Sequence, residues 1–488
     1  MDFFSLEFLA FLFVTVIACY KLPQALRPYI LLVASFVFYY VGAAEFLPLM
    51  LCICLVTWLF GFLINKFRKP WVYAGGIVCI ISALLFFKYA AFFAGIAERL
   101  FRFELDGTVL DFKEVIAPLG ISFMTFQAIS YLGDIYNGKI VPEKNPVLVA
   151  LQVSFFPNVT AGPIQKARTF IPQIKAPAIF EYDQVRHGLL LFAFGGLQKY
   201  YISDKLAVMI DSMQNALLTE PGHKGFHILF FAFVYAIYIY SNFNSYSDMA
   251  IGIAKMLGIR FEENFRRPYL SKSIKEFWQR WHISLNSWFV EYVYISLGGS
   301  RKGRIRYYCN ILIIFFLSGM WHGASIHFIA WGLLNGLYQI IGNLTAGLRG
   351  KIYRALKIDQ ESKFAVAWKR LCTFYLIAIS WILFAIPGTS TGIKMIPSMI
   401  FPPILSLFDG WILGQFSTLF SAISLLCTIL VFFRIQIKRE NGSVSECLCK
   451  QPAIVRYAVY IGIVVLLLFG YVSAFNGLGN GGFIYGDF

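Results

Sequence analysis

The sequence predicts an all-α polytopic membrane protein, with about eleven or twelve helices that cross or half-cross the bilayer and further re-entrant or interfacial helices. Two observations predict it. Hydrophobic residues make up 58% of the 488 positions and charged residues only 14%, too few charges to cover a soluble surface. The apolar residues also fall in runs of about twenty, with Lys and Arg gathered in short clusters between them. A formal charge of +16 would by itself suit a nucleic-acid binder, but this spacing is the positive-inside pattern, so no nucleic-acid partner is expected. The 51 Phe, 27 Tyr and 10 Trp suit lipid-facing surfaces and interfacial belts, which makes membrane lipids the first partners.

The elements follow from the apolar runs. Spans are expected at Ser5–Tyr20, Pro28–Gly42, Phe46–Ile64 and Trp71–Ile96. Basic residues after the first and third (Lys21 and Arg27; Lys66, Arg68 and Lys69) put those loops inside and the N-terminus outside. Met1-Asp2-Phe3-Phe4 lacks the basic start and small-residue site of a cleaved signal, so the first run is expected to stay as a helix. Glu98–Glu114, with Asp106-Gly107 as a turn, would be extracytoplasmic.

The middle is less regular. Pro118–Tyr136 carries Ser122, Thr125, Gln127, Ser130 and Asp134, too many polar groups for a lipid-facing helix. Pro146–Phe156 is short and runs into Pro157 and Gly162-Pro163; broken backbone at membrane depth needs protein or a cavity around it. His187–Tyr201 and Phe226–Tyr240 suit spans, Ser245–Leu257 is a short amphipathic piece with Asp248 turned off its apolar stripe, and Phe261–Lys275 is charged and loop-like. After the basic loop Arg301–Arg306 the pattern resumes: Tyr307–Ala324 outward, Ile326–Leu344 back to the basic loop Arg349–Arg370. Three more spans, Leu371–Pro387, Phe416–Phe433 and Ile454–Ser473, would leave the C-terminus outside.

Two histidines carry the chemical argument. His322 lies about fifteen residues into an outward-running apolar helix, about 22 Å along it. An ionisable group so placed is costly and is read as functional by default. Gly319 and Gly323 beside it would leave the backbone open to a close-approaching substrate, with Trp321 as a rigid wall. His282 sits in a Trp-rich stretch too polar to span, where Trp278, Trp281 and Trp288 suggest an interfacial or re-entrant helix. A Trp–His pairing at the membrane interface would also explain it. The two histidines can serve as base and electrostatic partner if they meet.

The other signals are weaker. His327 would point about 140° away from His322 on a continuous helix, and no H-E-x-x-H, Walker loop or G-x-S-x-G stands in a supporting context, so no metal and no bound cofactor are expected. Cys447 and Cys449 form a C-x-C without a second ligand pair, and the remaining cysteines read as small hydrophobes.

Trp281-His282-Ile283-Ser284 and Trp321-His322-Gly323, at their spacing, resemble the central motifs of membrane-bound O-acyltransferases, in the alginate O-acetylation branch. Phe87-Lys88-Tyr89, Pro118–Tyr136, Phe155-Phe156-Pro157 with Ala161-Gly162-Pro163-Ile164, and Ser245–Gly252 follow in family order, so the resemblance covers nearly the whole chain. Val290-Glu291, Ser296, Asn242 and Asn244 depart from the family pattern. The resemblance implies one integral membrane domain over 1–488: N-terminal helices 1–115, a catalytic core 116–345 and C-terminal helices 346–488, ringed around a thin funnelled centre.

It also implies that His322 is the catalytic histidine and His282 its motif partner, with Trp321, Trp278, Trp281, Asn286, Asp248 and Gln127 as substrate-binding candidates. The expected reaction takes acetyl from a cytoplasmic donor, acetyl-CoA, to an extracytoplasmic polysaccharide. A secreted or membrane-anchored acetyltransferase resembling SGNH hydrolases would be the partner, and a bacterial cell membrane the location. D-alanyl transfer to teichoic acid and a non-enzymatic acyl transporter are the alternatives; the transporter would show paired broken helices in inverted repeats, which the sequence lacks.

Overall fold

The computed structural model describes residues 3–101, 117–220, 222, 225–440, 448 and 450–473. Cys447, Cys449, His223, most of Glu98–Glu114 and the C-terminal Gly482–Phe488 lie outside the described residues. Among the described residues every regular element is helical. Among the described residues six helical stretches are long and apolar enough to cross a membrane: Gln24–Phe67, Pro70–Ala97, Phe226–Met256, Lys363–Ala385, Leu419–Lys438 and Ala453–Ser473. A seventh candidate, Thr389–Ile400 with Ile404–Gly414, is bent by 101°. The other expected crossings form helices that fall short of that length or apolarity.

The helices run in order α1 Leu6–Lys21, α2 Arg27–Ala43, α3 Leu47–Phe67, α4 Pro70–Phe101, α5 Ile121–Tyr136, α6 Pro146–Ser154, α7 Phe156–Val159, α8 Ala167–Lys175, α9 Tyr182–Gln198 and α10 Asp204–Thr219. They continue with α11 Phe226–Met256, α12 Ile274–Arg280, α13 Ile283–Trp288, α14 Arg304–His322, α15 Ile326–Leu344, α16 Ala346–Ala355, α17 Lys363–Ala385, α18 Thr389–Ile400, α19 Trp411–Gly414, α20 Leu419–Glu440 and α21 Ala453–Ser473. Two compact units result, one made of residues up to Phe192 with Ser247–Glu263, the other of Ala193–Tyr246 with residues from Asn264 onward.

In the first unit α5 is buried along almost its whole length, which is how its polar residues escape lipid: Thr125, Gln127, Ser130 and Asp134 are all inside. Asp134 receives Arg168 at 3.2 Å and Lys139 at 3.6 Å. Gly120 starts α5 at φ 69°, and a Cβ there would collide with the Val159 carbonyl, so both conformation and space demand glycine. The expected break after α6 occurs at Phe155, and the Phe156 amide freed by it donates to Ser35 Oγ on α2 at 3.2 Å. Gln152 Nε2 spans the Gln127 and Gln165 carbonyls at 3.3 and 3.2 Å. Protein therefore surrounds the broken backbone here.

Three expectations are corrected. Phe226–Tyr240 and Ser245–Leu257 are not separate pieces but the single helix α11, because Asn242, Asn244 and Ser245 find partners inside the protein and do not interrupt it. Asp248 is accordingly buried, 4% exposed, and not turned outward from an amphipathic piece. Arg27, expected in a basic loop, instead begins α2 and is 1% exposed, and its guanidinium donates to the carbonyls of Gln173, Ala176 and Leu257 at 3.0, 2.8 and 3.0 Å. A cation is favoured at these chain ends because the last carbonyls of α8 and α11 have no helical donors. Between the expected spans His187–Tyr201 and Phe226–Tyr240 the structure adds a further helix, α10.

Replacing Arg27 with Ala leaves three carbonyls without their charged donor, and is expected to destabilise the protein by about 3 kcal/mol or more. Thermal unfolding of the detergent-purified variant followed by intrinsic fluorescence checks this, and an unchanged midpoint would contradict it.

Candidate active site

Both histidines belong to the second unit. His322 is the last residue of α14, which stops because Gly323 is extended and the chain turns back at Ser325 into α15. The hairpin is tight. A Cβ on Gly319 would collide with the Phe328 carbonyl, and one on Gly332 with the Phe315 carbonyl, so α14 and α15 meet backbone to backbone. That approach brings Trp331 edge-on to the His322 ring, centroids 4.9 Å apart at 88°. Trp321 at 4.7 Å and Phe384 of α17 at 5.1 Å also pack on it, and His322 is 3% exposed. Gly319 and Gly323 thus do not open the backbone to a substrate as the sequence suggests. Gly319 admits α15, and a Cβ on Gly323 would strike the Phe328 ring.

His282 sits at a corner. α12 ends, Trp281 is extended, and His282 itself adopts the left-handed conformation at φ 44°, ψ 56° before α13 begins. For a non-glycine residue this costs about 1–3 kcal/mol and persists only where neighbours over-determine it. They do so here. Arg266 N donates to the Arg280 carbonyl and Ile283 N to the Asn264 carbonyl, both at 2.9 Å, bracketing the corner. Ser284 Oγ donates to Asn264 Oδ1 at 2.6 Å, and Asn286 Nδ2 to the Trp278 carbonyl at 2.6 Å. The imidazole is 2% exposed, and neither ring nitrogen has a hydrogen-bond partner among the described residues. Buried nitrogens of this kind are costly unless a polar occupant arrives to satisfy them.

The two imidazoles share a neighbour. The Trp321 indole is 5.8 Å from the His282 ring and 4.7 Å from the His322 ring. Phe243 at 4.6 Å and Phe265 at 6.5 Å are further ring neighbours of His282. Of the other expected contacts, Trp278 packs edge-on to Trp331 at 5.7 Å, while Trp281 is held in the core, stacked on Phe277 at 5.4 Å and beside Trp381 at 5.1 Å. Asn286 engages one amide hydrogen in bracing the corner. Gln127 and Asp248 are in the first unit, where both are buried; the Gln127 amide has no partner among the described residues.

Elsewhere His227 meets Asp409 at 2.8 Å and lies on Trp411, and His327 bonds Ser325 at 2.8 Å across the break that separates it from α14. Among the described residues no three His, Cys, Asp or Glu side chains converge on one point. Sequence reasoning missed Phe243, Trp331 and Phe384, which touch the histidines, and Asn264, which braces them. They are distant in sequence and carry no local signature. The repeated glycines of α14 and α15 were the available clue to Trp331.

Residues 150–353, which include both histidines, match a profile described as MBOAT, membrane-bound O-acyltransferase family. The chain is 34% identical to the probable alginate O-acetylase AlgI of Pseudomonas putida, over 84% of this chain and 82% of that protein. It is 30% identical to the peptidoglycan O-acetyltransferase of Helicobacter pylori, over 76% and 73%. A teichoic acid D-alanyltransferase of Bacillus subtilis is 28% identical over 56% of this chain and 69% of its own length.

The glycine seam generates a test. Gly332→Ala forces α15 off the Phe315 carbonyl and moves Trp331 from His322. It is expected to destabilise the protein by about 1–3 kcal/mol, as overpacking does. Thermal unfolding checks the cost, and a wild-type midpoint would show that the two helices can separate freely.

Proposed function

The chain belongs to the membrane-bound O-acyltransferase family, in its alginate O-acetylation-like branch, and we propose that it takes acetyl from cytoplasmic acetyl-CoA and passes it across the membrane for O-acetylation of an extracytoplasmic polysaccharide. It is a multi-pass membrane enzyme, an O-acyltransferase. The observation that carries the proposal is the pair of buried imidazoles that share one indole neighbour within a shell of aromatic rings.

In this reading neutral His322 takes the proton of an acceptor hydroxyl as its oxygen attacks the thioester carbonyl carbon. The new C–O bond forms, the C–S bond breaks, and the proton passes to the departing thiolate. His282 donates to the oxyanion that develops between these events; its unpartnered nitrogens and braced corner suit a donor held ready before the charge appears. The spare amide hydrogen of Asn286 is the neighbouring candidate. The exposed basic segment Arg301–Arg306, with Arg266 and Arg267, suits the phosphates of a coenzyme A donor on the cytoplasmic side.

The acceptor is a polysaccharide or the glycan of peptidoglycan, in keeping with the names of the relatives. A secreted or anchored acetyltransferase resembling SGNH hydrolases would complete the transfer outside a bacterial cell membrane. Both termini of the chain would lie on that outer side, as the placement of the basic loops favours. D-alanyl transfer ranks behind acetyl transfer because those relatives share a smaller part of the chain.

The test is base-labile acetate on the washed surface polymer at equal membrane expression. His322→Ala and His322→Gln are both expected to lower it by roughly 10²–10⁴-fold, the range of general-base catalysis. Unchanged ester in either variant would remove His322 from the chemistry.

A further inference from the structure

The second unit also carries a buried polar assembly that the proposed chemistry leaves unused. After Gln198, α9 widens into one π-helical turn, Lys199–Ser203, before α10 begins. There the Asp204 amide donates to the Lys199 carbonyl five residues back, so Asp204 stacks over Lys199. The side chains meet as well: Lys199 Nζ lies 3.0 Å from both carboxylate oxygens, and both residues are buried. An ordinary helix brings i and i+4 together, not i and i+5, so the ion pair and the wide turn depend on each other.

What this turn holds is α11. Gln198 Nε2 donates to the Ser241 carbonyl at 2.9 Å, and Gln198 Oε1 accepts from Asn244 Nδ2 at 2.9 Å. Ser203 Oγ accepts from Asn242 Nδ2 at 3.0 Å, and Lys199 Nζ lies 5.9 Å from the Tyr246 ring centre. The residues thus gripped, 241, 242, 244 and 246, surround Phe243. From the same turns of α11, Phe243 packs on the His282 ring at 4.6 Å, and Tyr240 packs on Tyr269 and Trp281 at 5.5 and 6.1 Å. The corner that carries His282 therefore leans on a helix whose register and rotation are set from Lys199 and Asp204.

We propose that the buried Lys199–Asp204 pair, through the Gln198, Ser203, Asn242 and Asn244 bonds, is a positioning device that sets Phe243 against His282. This rests on the acyl-transfer reading, in which His282 serves the oxyanion. A ring displaced by about 1 Å is enough to cost 10²-fold in rate when it holds a reacting group. A hydrogen-bonded buried ion pair is suited to the task because it has one geometry, whereas an apolar contact slides.

The experiment uses full-length protein in membranes from cells that make the polymer, with radiolabelled acetyl-CoA and incorporation into the polymer as readout, normalised to folded enzyme by size-exclusion. Asp204→Asn and Phe243→Ala are each expected to lower kcat by roughly 10–100-fold. The KM for acetyl-CoA should stay within about twofold, as for loss of an interaction used only in the transition state. Phe243→Tyr, which keeps the ring, should restore most of the turnover. The double variant should be no worse than the poorer single one, because both act through one imidazole.

Wild-type kcat per folded Asp204→Asn molecule, or losses that multiply in the double variant, would overturn the proposal. His282→Ala separates the two readings. If that variant turns over normally, the role given to His282 falls and this inference with it. If it is inactive while Asp204→Asn and Phe243→Ala are fully active, only the positioning role falls.

Discussion

Backbone contact between α14 and α15 at Gly319 and Gly332 is the constraint on which the histidine cluster depends. Helices in an apolar solvent gain little from burying apolar surface against each other, so they associate through close packing of small residues. With side chains at these two positions α15 would stand away from α14, and Trp331 would no longer reach His322. The same seam places Trp278, which packs on Trp331 and Phe315, and so ties the end of α12 to the hairpin.

A second constraint works against the first in character. The corner at His282 is strained where the seam is relaxed, and it is maintained by directional bonds. Two backbone bonds to the Asn264–Arg266 strip, the Ser284–Asn264 bond and the Asn286–Trp278 bond leave the chain no easier path. The result is a fixed, buried imidazole whose ring nitrogens have no hydrogen-bond partner among the described residues. In the proposed reaction such pre-organisation would favour the oxyanion, because no dipoles need to turn when charge develops.

The first unit uses the same economy of polar groups for support. Arg27 closes the ends of α8 and α11, Ser35 satisfies the amide freed at Phe155, and Gln152 spans two carbonyls. Each answers a backbone group that a lipid environment could not satisfy. Thr125, Gln127, Ser130 and Asp134, which mark α5 as unsuited to lipid, are buried in this unit; Arg168 and Lys139 meet the Asp134 carboxylate, and the Gln127 amide has no partner among the described residues.

The sequence by itself determined the class, an all-α membrane chain, because composition and the spacing of basic clusters are one-dimensional facts that the bilayer reads directly. It also determined which residues are chemically out of place, since His282 and His322 are exceptional whatever surrounds them. Tertiary structure decided the rest. Whether α11 breaks at Asn242–Ser245 depends on partners in α9 and the following turn, and whether Gly319 opens or closes the backbone depends on what packs there. The i,i+5 pair of Lys199 and Asp204 exists only in a π turn, which local periodicity does not encode. Phe243, Trp331 and Phe384 reach the two imidazoles from α11, α15 and α17, and no spacing along the chain announces a contact made by packing.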